Sequence, residues 1–262
     1  VTNPVRRQLH EKFIRQNLDN FTNDANVIQF TSGEFTGPLA FEQFWLDTIG
    51  SWEKETKNHS LIALAATKDV QDAILADAKR AVVVDVICFR YWWQTDNGLF
   101  APASGQNLSP RQSERQWKGG SPNDENLAAM AAEYRKKYSS KVVIASGEDV
   151  DMSRGAWAFV CAGGSMPNLP RTTDEKLLAA ISQMQPWLAD ANKSIWALRE
   201  PGKQILIYAG GGRAELDLSA ETGKYRLSTV NPKTGAITSG EIIQAGAKIK
   251  LPDATVVWLV KE

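Results

Sequence analysis

The sequence predicts an α/β chain: the later half, about strands four to eight, of a TIM (β/α)8 barrel, followed by a small all-β sandwich. Three observations predict it. Short continuous apolar runs alternate with segments of helical period over roughly the first 190 residues, as in a parallel sheet covered by helices. The pattern then changes to short strands separated by turn residues, as in a sandwich. Only five strand–helix units can be counted, where a closed barrel has eight in roughly 250 residues, so the chain reads as a barrel without its first three strands, with a five-stranded open sheet as the alternative. The domain reading is residues 1–190 for the barrel portion and 191–262 for the sandwich.

The elements follow in order. Residues 4–21 read as a helix with Leu9, Phe13, Leu18 and Phe21 near one face, and residues 26–31 (NVIQFT) as a strand. Residues 39–54 are helical, with an apolar stripe of Phe41, Phe44, Trp45, Ile49 and Trp52. Residues 61–67 (LIALAAT) and 82–91 (VVVDVICFRY) read as buried strands on either side of a helix at 70–77. A polar Gly/Pro-rich stretch spans 92–122, a helix 123–138, a strand 141–146 (KVVIAS), and a helix 153–160. Residues 161–165 are a short strand candidate, and 174–188 the last helix. From Ile195 the runs IWALRE, KQILIYAG, AELDLS, KYRLSTV, EIIQAG and TVVWLV read as strands, with NPKTG and SAETGK as hairpin turns. Trp196, Tyr208, Tyr225 and Trp258 sit at alternating positions, as core residues of a packing domain do.

Composition excludes several functions. Thirty Lys and Arg balance thirty Asp and Glu, so the basic excess usual in a nucleic-acid protein is absent. No apolar run reaches the ~18 residues of a membrane helix. Val1 opens a polar stretch with no leader pattern, which predicts a further segment upstream. Cys88 and Cys161 lie in apolar runs and read as buried free thiols; with two histidines and no ligand spacing, no metal is expected, nor any cofactor.

The chemistry is expected at the carboxyl ends of the strands, where barrel active sites lie. NVIQFT is followed by Ser32, Gly33 and Glu34, and KVVIAS by Gly147, Glu148 and Asp149. In each pair the Gly lets the chain turn sharply and the Glu can then point across the barrel mouth. With residues 161–165 as strand eight, Glu34 ends strand four and Glu148 strand seven. Two such carboxyls, about 5–5.5 Å apart, serve a retaining glycosidase as general acid/base and nucleophile. Either Glu alone would read as a solvated loop carboxylate; the pairing carries the reading.

Further residues are candidates for binding substrate. Tyr91, Trp92 and Trp93 could stack on sugar rings, although alternate members of such a run also fill a core, and one tryptophan is expected to do so. Arg90 could hold a hydroxyl or a carboxylate. Lys68 and Asp69 end strand five, with helix capping the plain alternative for Asp69. The segment 94–117 is too long for an idle connection and offers Asn107, Arg111 and Gln112, or else it is a surface excursion.

The runs NVIQFTSGEFTGPLAFEQFWLDTIGSWEKET, LIALAATKDVQDAILAD and VDVICFRYWW resemble bacterial glycoside hydrolases of the apiosidase-like group in clan A. VVIASGEDVDMSRGAWAFVCAGGS is similar to their strand-seven Gly-Glu motif, with its downstream Arg and Ala-Gly-Gly. The tail YAGGGRAELDLSAETGKYRLSTVNPKTG resembles the small collagen-binding-type β-domain that those enzymes carry. The resemblance covers most of the chain. It implies a clan A barrel with a retaining mechanism, Glu148 as nucleophile and Glu34 as acid/base. Two departures bear on Glu34: many clan A enzymes have Asn where Gly33 stands, and the apiosidase-like group tends to use Asp at that strand. An inverting mechanism therefore stays open.

The expected function is hydrolysis of a plant or algal polysaccharide or oligosaccharide, in the bacterial periplasm or outside the cell. The alternatives are a non-catalytic carbohydrate-binding protein on a degenerate barrel and, less favoured, a polysaccharide lyase using Arg90 and Tyr91. The expected partners are the carbohydrate and the remaining barrel segment, supplied upstream or by another chain; neither nucleic acid nor membrane is expected. Without that segment, inner layers of the barrel should lie open.

Overall fold

The computed structural model describes residues 2–31, 38–95, 98–100, 122–145, 155–190, 194–211, 214–252 and 255–262. The chain divides into two compact units, Val1–Gly119 with Tyr138–Asp149, and Gly120–Lys137 with Val150–Glu262.

The first unit is built on a four-stranded parallel sheet of β1 (Ile28–Phe30), β2 (Leu61–Leu64), β3 (Val86–Phe89) and β6 (Val142–Ala145), in the order β1-β2-β3-β6. Its helices are α1 (Pro4–Asn20), α2 (Leu39–Thr56), α3 (Lys68–Ala76) and α4 (Ala78–Ala81). The α1 helix starts where the Asn3 side chain accepts from the Arg6 N–H at 3.1 Å and Pro4 supplies a preset φ. Its buried stripe is Ile14 and Leu18, while Leu9 and Phe13 of the expected stripe stay exposed. Trp52 of α2 donates to Asp19 of α1 at 2.7 Å, and Arg15 and Glu55 form a two-point pair at 2.8 and 3.1 Å. In the sheet, residues alternate between faces. Ala63, Ala65, Val86, Cys88 and Ile144 share one buried cluster, with Ile28 packed against it. Their burial departs from the expectation of open inner layers, except at the edge strand β1, where Phe30 is 36% exposed. The stretch after β3 also forms a short antiparallel hairpin, β4 (Trp93–Thr95) with β5 (Gly98–Phe100).

The second unit holds α5 (Asp124–Lys137), α6 (Ala156–Cys161), α7 (Glu175–Ile181) and the β-rich tail. Two expectations are corrected here. Residues 161–165 are no strand of the parallel sheet: Cys161 is the last residue of α6. The run AWAFVC is buried on every side, and such a short apolar run does not by itself distinguish strand from helix. The helix stops at Gly163 (φ 99°), whose N–H bonds Val160 O while that of Gly164 bonds Phe159 O, both at 2.9 Å. This is the paired C-terminal cap that a left-handed glycine permits. The expected helix 174–188 is in fact α7 followed by β7 (Gln185–Asp190). Asp174 caps the helix by accepting from Lys176 N at 2.8 Å. Pro186 cannot extend a helix, and as a residue without an N–H it suits an edge strand.

That edge belongs to a six-stranded antiparallel sheet in the order β12-β11-β14-β9-β8-β7. The strands are β8 (Ile195–Glu200), β9 (Gln204–Ala209), β11 (Lys224–Val230), β12 (Ile237–Gln244) and β14 (Thr255–Lys261). A two-stranded sheet of β10 (Ala214–Asp217) and β13 (Lys248–Leu251) shares its core: Leu216 and Leu251 pack in one cluster with Ile195, Ile207, Val257 and Leu259. The β11–β12 turn is NPKTG, where Gly235 N–H bonds Asn231 O at 2.7 Å. Of the four aromatics expected in the sandwich core, Tyr225 is part of that cluster, whereas Trp196, Tyr208 and Trp258 alternate with its residues and so lie on the opposite face of the sheet, the first two buried and Trp258 half-buried.

Candidate functional site

In a parallel sheet every strand delivers its chain to the same edge. The residues that follow β1, β2 and β3 therefore collect at one end of the first unit. Thr31 comes from β1, residues 65–67 and the start of α3 from β2, and residues 90–92 from β3. The α2 helix then starts at this same end.

Lys68 opens α3. Its Nζ lies 2.8 Å from Asp72 Oδ2 and 4.9 Å from the centre of the Trp92 ring. Trp92 in turn packs edge-on against Phe89, ring centres 4.9 Å apart, and its Nε1 donates to Gln71 Oε1 at 3.5 Å. Gln71 belongs to the first turns of α3 and is wholly buried. The structure thus brings Lys68 and Trp92 together, and adds Gln71 and Asp72 to them. Asp69 lies in the first turn of α3, where its charge complements the helix dipole; the N-cap position itself is Thr67. Arg90 is half-buried with its guanidinium 5.8 Å from the Tyr91 ring centre. Tyr91, Trp92 and Trp93 are each at most 2% exposed, and Tyr91 is part of the inner cluster of the sheet. The sequence reading puts one of the two tryptophans in the core and offers the other rings as a platform; in the structure all three rings are covered. Glu34, Glu148, Asn107, Arg111 and Gln112 lie outside the described residues.

Sequence reasoning missed Glu42. This residue of α2 is 0% exposed and sits beside Thr31, yet neither carboxylate oxygen makes a well-formed hydrogen bond among the described residues. Burial pushes its carboxyl up to about 8, and the Thr31 hydroxyl opposes the shift only in part. Thr31 Oγ1 also accepts from the Ala65 N–H at 3.4 Å, linking β1 to β2. Thr67 Oγ1 and Gln71 Nε2 are likewise buried without a partner among the described residues. The signal for Glu42 is present in the sequence: it lies four residues before Leu46 and seven before Ile49, on the buried face of its helix. Among the described residues, no group of three or more Asp, Glu, His or Cys side chains could hold a metal ion. Cys88 and Cys161 are buried free thiols, and burial pushes the Cys161 thiol well up. Among the described residues, no helix is long and apolar enough to cross a membrane.

A family model described as a domain of unknown function, DUF6298, matches residues 1–184. The chain belongs to the DUF6298 family. No curated protein matches this DUF6298 chain. Among solved structures, it is similar to one named simply a glycoside hydrolase, with a TM-score of 0.60 at 12% identity, over 98% of this chain and 69% of the other. A glycoside hydrolase family 5 protein from Bacteroides vulgatus ATCC 8482 gives 0.61 at 13% identity, over 97% of this chain and 67% of that one. The catalytic domain of the GH30 xylanase C from Talaromyces cellulolyticus gives 0.50 at 10%, over 97% and 67%. At these identities the likeness concerns the fold: this DUF6298 chain is a mixed α/β protein with a parallel and an antiparallel sheet, similar in fold to those glycoside hydrolases.

Proposed function

We propose that the chain is the later part of a TIM-barrel glycoside hydrolase with a C-terminal β-sandwich. It cleaves glycosidic bonds of a plant or algal polysaccharide or oligosaccharide with two carboxylates, Glu34 as acid/base and Glu148 as nucleophile. The observation that carries this reading is the likeness of nearly the whole chain to two glycoside hydrolases at TM-scores of 0.60 and 0.61. Two features of the first unit support the partial barrel. The β1 strand is an edge of the parallel sheet, and α1 leaves Val5, Leu9 and Phe13 exposed. A further strand and helix, from an upstream segment or another chain, would cover both. At the carboxyl ends of β2 and β3, Lys68, Asp69 and Arg90 are the side chains proposed to hold substrate, with Tyr91, Trp92 and Trp93 behind them and Asn107 and Arg111 from the long segment. The location proposed for this activity is the bacterial periplasm or the exterior.

The test uses the full-length natural protein against p-nitrophenyl glycosides and plant and algal polysaccharides, reading nitrophenol or reducing-end release. Glu34→Gln and Glu148→Gln should each lower kcat by about 10²–10⁴-fold. If the mechanism is retaining, azide should rescue Glu148→Gly with a glycosyl azide of inverted configuration and Glu34→Ala with one of retained configuration. Binding of polysaccharide without cleavage, unaltered by either substitution, would overturn the hydrolase in favour of a carbohydrate-binding barrel.

A further inference from the structure

Glu42 is an acidic side chain in an apolar setting. It shares the buried face of α2 with Phe44, Leu46, Ile49 and Trp52, and among the described residues its carboxyl has one polar neighbour, the Thr31 hydroxyl. Several charged groups on the packed elements are engaged elsewhere. On α1, Arg7 lies 4.4 Å from the Phe44 ring centre, and His10 meets the Phe41 ring edge-on at 6.2 Å. Arg15 pairs with Glu55, and Asp19 accepts from Trp52. On α3, Lys68 pairs with Asp72; on α4, Lys79 and Arg80 both pair with Asp47. Among the described residues, only burial and Thr31 act on the Glu42 carboxyl. An ionised carboxylate in such a place would be a buried charge without a counter-ion, which is costly. A protonated one is a neutral group of similar size to glutamine and can exchange a hydrogen bond with a hydroxyl.

We propose that Glu42 is a positioning residue of the candidate site, acting as a neutral carboxylic acid that fixes the carboxyl end of β1 through Thr31. The positioning role rests on the hydrolase reading, because Thr31 stands just ahead of Glu34 in the sequence. The neutral state does not rest on it. Thr31 joins the two strands that lead into Glu34 and Lys68, accepting from Ala65 on one side and facing Glu42 on the other. The direction of the pH effect follows by linkage. The folded protein holds the proton where the unfolded chain, with an ordinary carboxyl near 4.5, has released it. The stabilisation is therefore complete below about pH 4.5 and is lost as the pH rises through about 8.

The experiment compares wild type, Glu42→Gln and Glu42→Leu in the full-length protein. Tm is measured from about pH 5 to about pH 8.5, the window that linkage names, and kcat on p-nitrophenyl glycosides near pH 6. Glutamine has no proton to lose, so its Tm should fall over this window by less than half of the wild-type fall. Leucine, which cannot pair with the Thr31 hydroxyl, should lower kcat at least about tenfold, and glutamine should restore most of it. Equal falls in Tm for wild type and Glu42→Gln would overturn the neutral acid. Full kcat in Glu42→Leu would overturn the positioning role. If Glu42→Leu does not fold, the glutamine variant decides alone: a kcat that follows its Tm with no change in pH profile would overturn positioning. Absence of any cleavage by wild type overturns the hydrolase, while the Tm comparison still decides whether the acid is neutral.

Discussion

Tyr208 and Asp124 are joined by a 2.6 Å hydrogen bond in which the phenol donates to the carboxyl group. Asp124 begins α5 and Tyr208 lies in β9, so the bond ties a helix to the six-stranded sheet within the second unit. Burial raises the Asp124 carboxyl above its usual range, and Tyr208 reverses that only in part. Tyr208 also stacks on Trp196, ring centres 5.9 Å apart. Tyr208→Phe keeps the stacking and strips the carboxyl of its donor. It should cost about 1–3 kcal/mol, the penalty of a buried acceptor left unpaired. Urea denaturation checks this; an unshifted midpoint would mean that the helix is held by apolar contact alone.

Trp92 separates packing from recognition. It is 1% exposed, covered by Phe89 and by the ammonium of Lys68. As a core residue its replacement by alanine should cost roughly 3–5 kcal/mol. Trp92→Phe should cost less, because it keeps most of the volume and loses the N–H to Gln71. An open stacking platform would behave in the opposite way, with little change in the urea midpoint and a large loss of sugar binding.

Gly163 ends α6 at φ 99°, and a Cβ there would meet Pro186 Cγ at 2.8 Å and Arg135 Cγ at 3.1 Å. Gly163→Ala forces a left-handed backbone on a residue with a side chain, about 1–2 kcal/mol by itself, and adds the clash. The urea midpoint should fall by correspondingly more than for Gly202→Ala, which also has a positive φ but nothing within 4 Å.

Much of the architecture is legible in the sequence, and the failures have physical causes. Strands β3 and β6 are largely apolar runs because the parallel sheet is covered on both faces, and such runs announce themselves. AWAFVC has the same apolar character yet is a helix, since burial on all sides erases the period that would tell the two apart. Residues 174–188 carry a good N-cap in Asp174, but the helical period alone runs on past Pro186, the residue at which a helix cannot continue. At the site, the contact of Lys68 with the Trp92 ring joins two candidates that the sequence offers separately, and the burial of three adjacent aromatic rings does not follow from their spacing. Glu42 escapes notice because charge suggests exposure, while its place on the helix face argues otherwise.

The edge strands β7 and β1 meet a crowded solution of newly made chains on unequal terms. β7 carries Pro186, which offers no N–H to an incoming chain, and its pairing with β8 slips in register between Pro186 and Leu188. β1, with the sequence IQF, has neither proline nor charge to refuse a neighbour. A charge on that edge, as in Phe30→Lys, should therefore raise the soluble yield of this chain.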